Sequence, residues 1–314
     1  MSDKAPKKKF KLFDTQREGP GVLKNERPLK YDFYSYFVRM WRNMSKLISV
    51  NLLYVVGNFP LFFAIVAMTG RFNISSTAPV DPMFPLVHGV MLHSDSPALL
   101  PLLARFGEQR EISALGPVAL VLLALSALVV FTFGIVNTGT AYVLRNVISG
   151  EPVYPWSDFW YAVKRNWKQG LIFGIIDAVV IFILAYDMSF FWQTTGSIVT
   201  NMMFYTTLVC CIIYFFMRYY IYVMMVTFDL SIFKLIKNGV IFSVLAFGRN
   251  ILALIGIIFI AYLNITLIYM FPALGLALPF IITVSILAYT ATFVAYYKIK
   301  DVMIDPYYEK KEIE

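Results

Sequence analysis

The chain has 314 residues, of which 59% are hydrophobic and 15% charged, and its formal net charge is +8. Soluble domains average roughly 45–50% apolar and about 25% charged residues, so the composition excludes an ordinary soluble globular protein. A positive balance is compatible with nucleic-acid binding, but the placement of these charges argues against a nucleic-acid partner and for a membrane.

The apolar residues fall in long runs, each near the roughly 20 residues that cross a hydrocarbon core about 30 Å thick. Backbone groups in lipid must pair within their own segment, so such runs become helices. A soluble helical bundle would instead need a polar stripe along each helix, and residues 251–270 have none. The expected fold is all-α: a polytopic membrane helical bundle of about six transmembrane helices in three hairpins. The spans are read at 46–68, 115–143, 170–185, 197–222, 251–270 and 277–297, the third being the shortest and the fourth apolar run continuing to Phe228. These divide the chain into a basic tail (1–30), a membrane domain (31–297) with an outer loop at 69–114, and a C-terminal tail (298–314).

The basic tail contains Lys7-Lys8-Lys9 and reads as a mobile topogenic anchor that meets anionic lipid. It is polar over its length, so no cleavable signal peptide is expected. Each odd-numbered span is preceded by an aromatic, basic segment of interfacial character: 31–46, 156–168 and 229–247. Such helices lie in the headgroup layer, or form a platform for another protein. In the second segment Trp156, Trp160, Val163 and Trp167 step by four, three and four, which places them on one helical face. Ser157 and Asp158 suit the start of that helix, and Arg165 lies beside the aromatic stripe. Arg-Asn recurs at 42–43, 165–166 and 249–250, with a fourth copy at 145–146. The recurrence fits a repeat of hairpins or simply the habit of both residues at helix ends.

In the first span Gly57, Asn58 and Pro60 predict a kink, because proline removes a backbone donor. The outer loop carries five prolines and an apolar cluster from Met83 to Leu92 that includes Phe84 and Met91. That cluster either touches a partner or folds back on the outer ends of its own spans. His88 and His93 lie near Asp81 and Asp95, but their spacing suits a packed or solvated loop better than a zinc site. In the third span Gly170, Gly174 and Ala178 form a small-residue ridge that lets a neighbouring helix approach. Beside it is Asp177, an ionisable residue in an apolar run and so a candidate site by default. Three fates are open to it: protonation in lipid, pairing with a cation such as Arg218 of the fourth span, or lining a polar cavity. Cys210 and Cys211 are adjacent in the fourth span and form no disulfide framework.

Lys and Arg number twenty-four on the side of the termini and the even connections, against three on the other side: Arg71, Arg105 and Arg110. The positive-inside rule then predicts cytoplasmic termini for a multi-pass chain. No G-x-x-x-x-G-K-S/T, H-E-x-x-H or G-x-S-x-G motif occurs. The chain is therefore expected not to be an ATP-driven motor or an enzyme, and no metal or cofactor is expected.

The segment 137–170 resembles a known family through Tyr142-Val143-Leu144-Arg145-Asn146, Gly150-Glu151-Pro152 and Trp156-Ser157-Asp158-Phe159. Softer support comes from Lys11-Leu12-Phe13-Asp14, from Asn51-Leu52-Leu53-Tyr54 with Pro60, and from Val226-Thr227-Phe228-Asp229-Leu230 with Lys237-Asn238. The family is that of the YesL-like membrane proteins of Gram-positive bacteria. The resemblance implies an accessory role beside carbohydrate ABC importers, with permease subunits or another membrane protein as partners and membrane lipids around them. The candidate partner surface comprises Trp156, Trp160, Arg165, Trp167, Phe84 and Met91. The alternative is a stand-alone secondary transporter that uses Asp177 and Arg218 as an intramembrane polar site.

Overall fold

The computed structural model of the chain describes residues 32–91, 97, 99–194 and 196–307. The expected basic tail 1–30 lies outside the described residues, as do Leu92, His93 and Asp95 of the outer loop and Lys310 and Lys311.

Helix α1 (Phe33–Arg42) opens at Asp32, whose side chain accepts from Ser35 N at 2.7 Å. The first span is two helices, α2 (Met44–Gly57) and α3 (Pro60–Met68), bent by 68°. The break sits where Pro60 cannot donate, and Asn58 Nδ2 donates to the Tyr54 carbonyl at 3.0 Å. An excursion follows: strand β1 (Asn73–Pro79), helices α4 (Phe84–Met91) and α5 (Leu99–Phe106), and strand β2 (Gln109–Leu115). The strands pair antiparallel, with Asn73 opposite Leu115 and Pro79 opposite Gln109. This ladder is a departure from the expected irregular loop. Ile74, Ser75, Ser76, Thr77 and Ile112 have the β-branched and hydroxyl character that suits a short exposed ribbon.

The second span is α6 (Pro117–Ser126) continued by α7 (Val129–Ser149). The third is α8 (Pro155–Gln193), the fourth α9 (Ile198–Thr227). Helix α10 (Ile232–Leu245) precedes the fifth span, α11 (Phe247–Met270). The sixth combines α12 (Pro272–Leu278), a π-helical turn (Pro279–Thr283) and α13 (Val284–Ile299). Among the described residues, five helical segments are long and apolar enough to cross a membrane, and six if the bent pair is one span.

The third span therefore differs from expectation. It is joined to the interfacial helix before it through a kink at Asn166, and it runs past Tyr186 and Asp187 to Gln193. Nothing between Gly174 and Gln193 breaks a helix, so helical pairing continues beyond the apolar run. It opens at Tyr154 with Pro155 in the first turn, and Asp158 reaches back to accept from Tyr154 N at 2.9 Å instead of serving as the cap.

The three aromatic, basic segments are helices that meet their spans at breaks of nearly one geometry. Asn43 has φ −113° and ψ 21°, Asn166 −116° and 15°, and Ala246 −104° and 23°. A broken helix leaves carbonyls without donors. In each case an asparagine of the Arg-Asn pair donates to a carbonyl near the break: Asn43 to Arg39 O at 2.9 Å, which Asn43 N also reaches at 3.2 Å, Asn166 to Ala162 O at 3.3 Å, and Asn250 to Ser243 O at 3.0 Å. Asn146, in the fourth copy, instead accepts from Arg145.

Helix α7 packs along α8, α8 and α13 against α9, and α2 between α7 and α13. The α7–α8 seam is glycine on both sides. A Cβ on Gly174 would lie 2.4 Å from Gly134 Cα, and one on Gly134 would lie 2.1 Å from Gly170 O. The predicted ridge thus seats a helix through Gly170 and Gly174, whereas Ala178 turns toward a cavity.

Candidate functional site

Asp177 follows Gly174 by three residues on α8, so it shares the face that meets protein. Across from it, α9 presents Tyr214, Arg218 and Tyr222 at successive intervals of four residues, which is one helical face. The side chains converge on the carboxyl group. Tyr214 OH donates to Oδ1 at 2.8 Å; Arg218 Nη2 and Tyr222 OH donate to Oδ2, each at 2.9 Å. Asp177 is fully buried, and the Arg218 side chain is 15% exposed with its guanidinium 5.1 Å from the Phe133 ring centroid. Burying two charges carries a large desolvation cost that is offset only when the geometry is good and the remaining hydrogen-bonding capacity is used. Both conditions hold for the carboxylate, which has three donors on two oxygens. Of the three fates open to Asp177, the geometry is that of pairing with Arg218.

Tyr214 and Tyr222 are not among the residues that the sequence singles out. Their signal is the Tyr-x-x-x-Arg-x-x-x-Tyr spacing, visible once a buried acid is placed opposite the arginine.

Arg218 also borders a cavity of about 830 Å³, walled by α2, α3, α7, α8, α9 and the π-helical turn with α13. Most of its lining is apolar, including Phe62, Phe133, Ile181, Phe182 and Leu287; Asn58, Asn137, Arg218 and Tyr219 are polar exceptions. Pro279 and Phe280 bring the π-helical turn into the wall. The wider π-helical turn frees backbone groups, and Asn51 of α2 binds on both sides of it. Asn51 Nδ2 donates to Pro279 O at 2.9 Å and its Oδ1 accepts from Ser285 N at 2.9 Å. Asn51 is thus a positioning residue for the cavity wall, tying the first span to the sixth.

The candidate partner surface is divided. Trp156, Trp160 and Trp167 are each half exposed on α8, but Val163 is buried with Phe159, so the expected four-residue face is split. The buried side of the helix is centred on Phe159, Ala162 and Asn166, and Val163 falls on its edge. Arg165 is exposed beside the Trp residues, and its Nη2 donates to Val226 O at 3.0 Å, a carbonyl that Arg145 Nη1 also reaches at 3.3 Å. The end of α9 offers it a carbonyl with no helical donor.

In the excursion, Phe84 is half-buried against the His88 ring, with centroids 5.3 Å apart, and Met91 ends α4. Met83, Leu86 and Leu100 are exposed, at 51%, 66% and 76%. Of the apolar cluster, Met83 and Leu86 are therefore exposed, while Phe84 and Val87 are partly buried.

Comparison with known proteins gives one family. The model of a family described as "protein of unknown function, DUF624" matches residues 114–188, less than half of the chain. The matched stretch holds Gly134, Trp156, Trp160 and Asp177, but stops before Arg218 and its two tyrosines. No curated protein and no solved structure matches the chain. The chain is a multi-pass helical membrane protein, similar over its second and third spans to a family of unknown function.

Proposed function

We propose that this chain is an accessory integral membrane subunit that associates with a carbohydrate ABC importer, assisting its assembly or the regulation of uptake. The observation that carries the reading is the excursion between the first two spans. It folds as a strand ladder carrying two short helices, and it leaves Met83, Leu86 and Leu100 exposed instead of burying them on the bundle. Contiguous apolar surface outside the membrane marks a contact for another macromolecule. The carbohydrate assignment rests on the YesL-like resemblance, with which the DUF624 match is compatible. The same reading puts the basic end of the bundle in the cytoplasm and the excursion outside a bacterial cell membrane.

The large cavity beside Arg218 favours a second reading, a stand-alone secondary transporter. Two features weigh against it. Asp177 has no exposure and three of its roughly four acceptor sites are taken by protein donors, so it is shut off from a travelling solute. The lining is also too apolar for a sugar, whose hydroxyl groups would lose hydrogen bonds to water without replacement.

The test is purification of the tagged chain in mild detergent, with identification of what co-purifies. A permease pair is expected. The matched variant replaces residues 80–108 by a short Gly-containing turn that joins Pro79 to Gln109, which already face each other across the ladder. It should insert normally and lose most of the permease. Wild-type recovery of the permease by that variant, or a solitary chain in both preparations, would sink the reading.

A further inference from the structure

We propose that the basic end of the bundle holds a site for the phosphate group of an anionic phospholipid, built on Arg145 of α7 and Arg165 of α8. The site does not depend on which protein the chain serves.

Its frame is a single carbonyl. Arg145 Nη1 and Arg165 Nη2 donate to Val226 O at 3.3 and 3.0 Å, so guanidinium groups from two different helices stand side by side. Each lies over a tyrosine ring: Arg145 is 4.6 Å from the Tyr142 centroid, and Arg165 is 5.8 Å from that of Tyr161. The two rings are in contact, with centroids 5.6 Å apart. Stacking covers the face of a guanidinium and leaves its N–H edge available to an acceptor. Tyr161 and Arg165 are four residues apart on one face of α8, and both are exposed. The Arg145 side chain is 15% exposed, so the pair opens to the outside of the bundle.

Charge and spare donors select an anion. Glu151 Oε2 lies 3.8 Å from Arg145 Nη2, longer than a hydrogen bond, and its side chain is 56% exposed. Among the described residues Arg165 has no carboxylate partner. Against two guanidinium charges stand one carboxylate and about half a charge from the carbonyl end of α9. The balance is positive. Arg145 spends Nε and Nη2 on Asn146 Oδ1. Arg165 is less committed: an arginine carries five N–H donors, and among the described residues only its Nη2 has a protein acceptor. A phosphate presents several charged oxygens and accepts from two guanidinium forks at once, which suits this pair better than one carboxylate does.

Depth selects a lipid as the source of the phosphate. Val226 is the residue before the last of α9, Arg165 precedes the break at Asn166, and Arg145 lies near the end of α7. Three span ends therefore meet at one level. On the same helix as Arg165, Trp156, Trp160 and Trp167 are each half exposed, and Trp and Tyr side chains concentrate at the headgroup layer of a membrane. Basic pockets between spans at such a level suit anionic headgroups. The acyl chains of a phospholipid hold its phosphate at that level, whereas a soluble phosphate has no such anchor.

The experiment uses the purified full-length chain in detergent, with dioleoylphosphatidylglycerol as the probe and native mass spectrometry as the readout. Dioleoylphosphatidylcholine, with the same chains and no net charge, is the control. The wild type should retain phosphatidylglycerol about ten-fold better or more. Arg165→Gln removes charged donors from an exposed position and should lower that retention about ten-fold or more. Lys234→Gln removes the same charge from an exposed position on α10 and should leave retention within about two-fold. Glu151→Gln removes the competing carboxylate and should raise retention. A second measurement does not depend on variants: a phosphatidylglycerol with a diazirine in its headgroup should label the wild type at Tyr142, Tyr161 or Glu151. Labelling confined to other surfaces would overturn the proposal, as would phosphatidylcholine retained equally well. Equal losses from Arg165→Gln and Lys234→Gln would reduce the site to diffuse charge and overturn it too. Displacement of the lipid by an equal concentration of glycerol 3-phosphate would assign the site to a soluble phosphate instead.

Discussion

Replacing Asp177 by asparagine keeps the shape of the side chain and removes its charge. The amide oxygen can still accept from one neighbour, but its NH2 group must face another donor. Two of the three hydrogen bonds, those from Arg218 and Tyr222 to Oδ2, converge on one atom at 2.9 Å and lose their acceptor together if the amide nitrogen takes that place. Hydrogen bonds to charged groups contribute roughly 1.5–3 kcal/mol each, and orphaning one member of a buried ion pair costs about 3–5 kcal/mol. The two routes agree on a loss of about 3–5 kcal/mol. That exceeds the roughly 0.6 kcal/mol average of an interhelical hydrogen bond in a membrane protein, because an uncompensated Arg218, only 15% exposed, remains between α8 and α9. The assay is reversible unfolding of the purified chain in mixed micelles for Asp177→Asn, Arg218→Gln and the double variant. Each single variant should lose about 3–5 kcal/mol, and the double should lose no more than either single, giving a coupling of about 3 kcal/mol or more. If the single variants unfold within about 1 kcal/mol of wild type, or the double is the sum of the two, the pair does not hold these helices together.

The glycine seam makes a second prediction. Gly174→Leu places a side chain where Gly134 Cα would lie 2.4 Å from its Cβ, so α7 and α8 must separate; overpacking of about 1–3 kcal/mol or more is expected as a lowered melting midpoint, and an unchanged midpoint would show that the seam is looser than described. Topology is checked by cysteine-accessibility labelling: His88→Cys, exposed on α4, should react with an impermeant reagent from outside, while Lys8→Cys and Lys310→Cys should react only after permeabilisation, and an external label on Lys8→Cys would invert the map.

Several features are legible in the sequence because each depends on one residue or one run. The spans follow from the lengths of apolar runs, the bend in the first span from Pro60, and the three helices at the basic end from their aromatic and basic periodicity. Asp177 stands out because an ionisable residue in an apolar run is costly, and Arg218 is the cation within reach on the next span. The Arg-Asn pairs are visible as a recurrence, but their physical meaning is three-dimensional. Three of their asparagines lie at or just after helix breaks and donate to carbonyls four or seven residues back.

What the tertiary structure decided is which faces meet. In a soluble protein the apolar face of a helix identifies its buried side, but in lipid the outward face is just as apolar. Helices α9 and α11 show the consequence. The most apolar window of α9 is half buried, whereas none of the corresponding window of α11 is, although α11 is the more apolar of the two. Hydropathy therefore identifies both as spans and says nothing of which one carries the site. The tyrosines that complete the Asp177 cluster, the hold of Asn51 on the π-helical turn and the cavity shared by six segments all arise from contacts between residues distant in sequence. Such contacts are set by backbone approach at places like the Gly134–Gly174 seam, and no single span carries that information by itself.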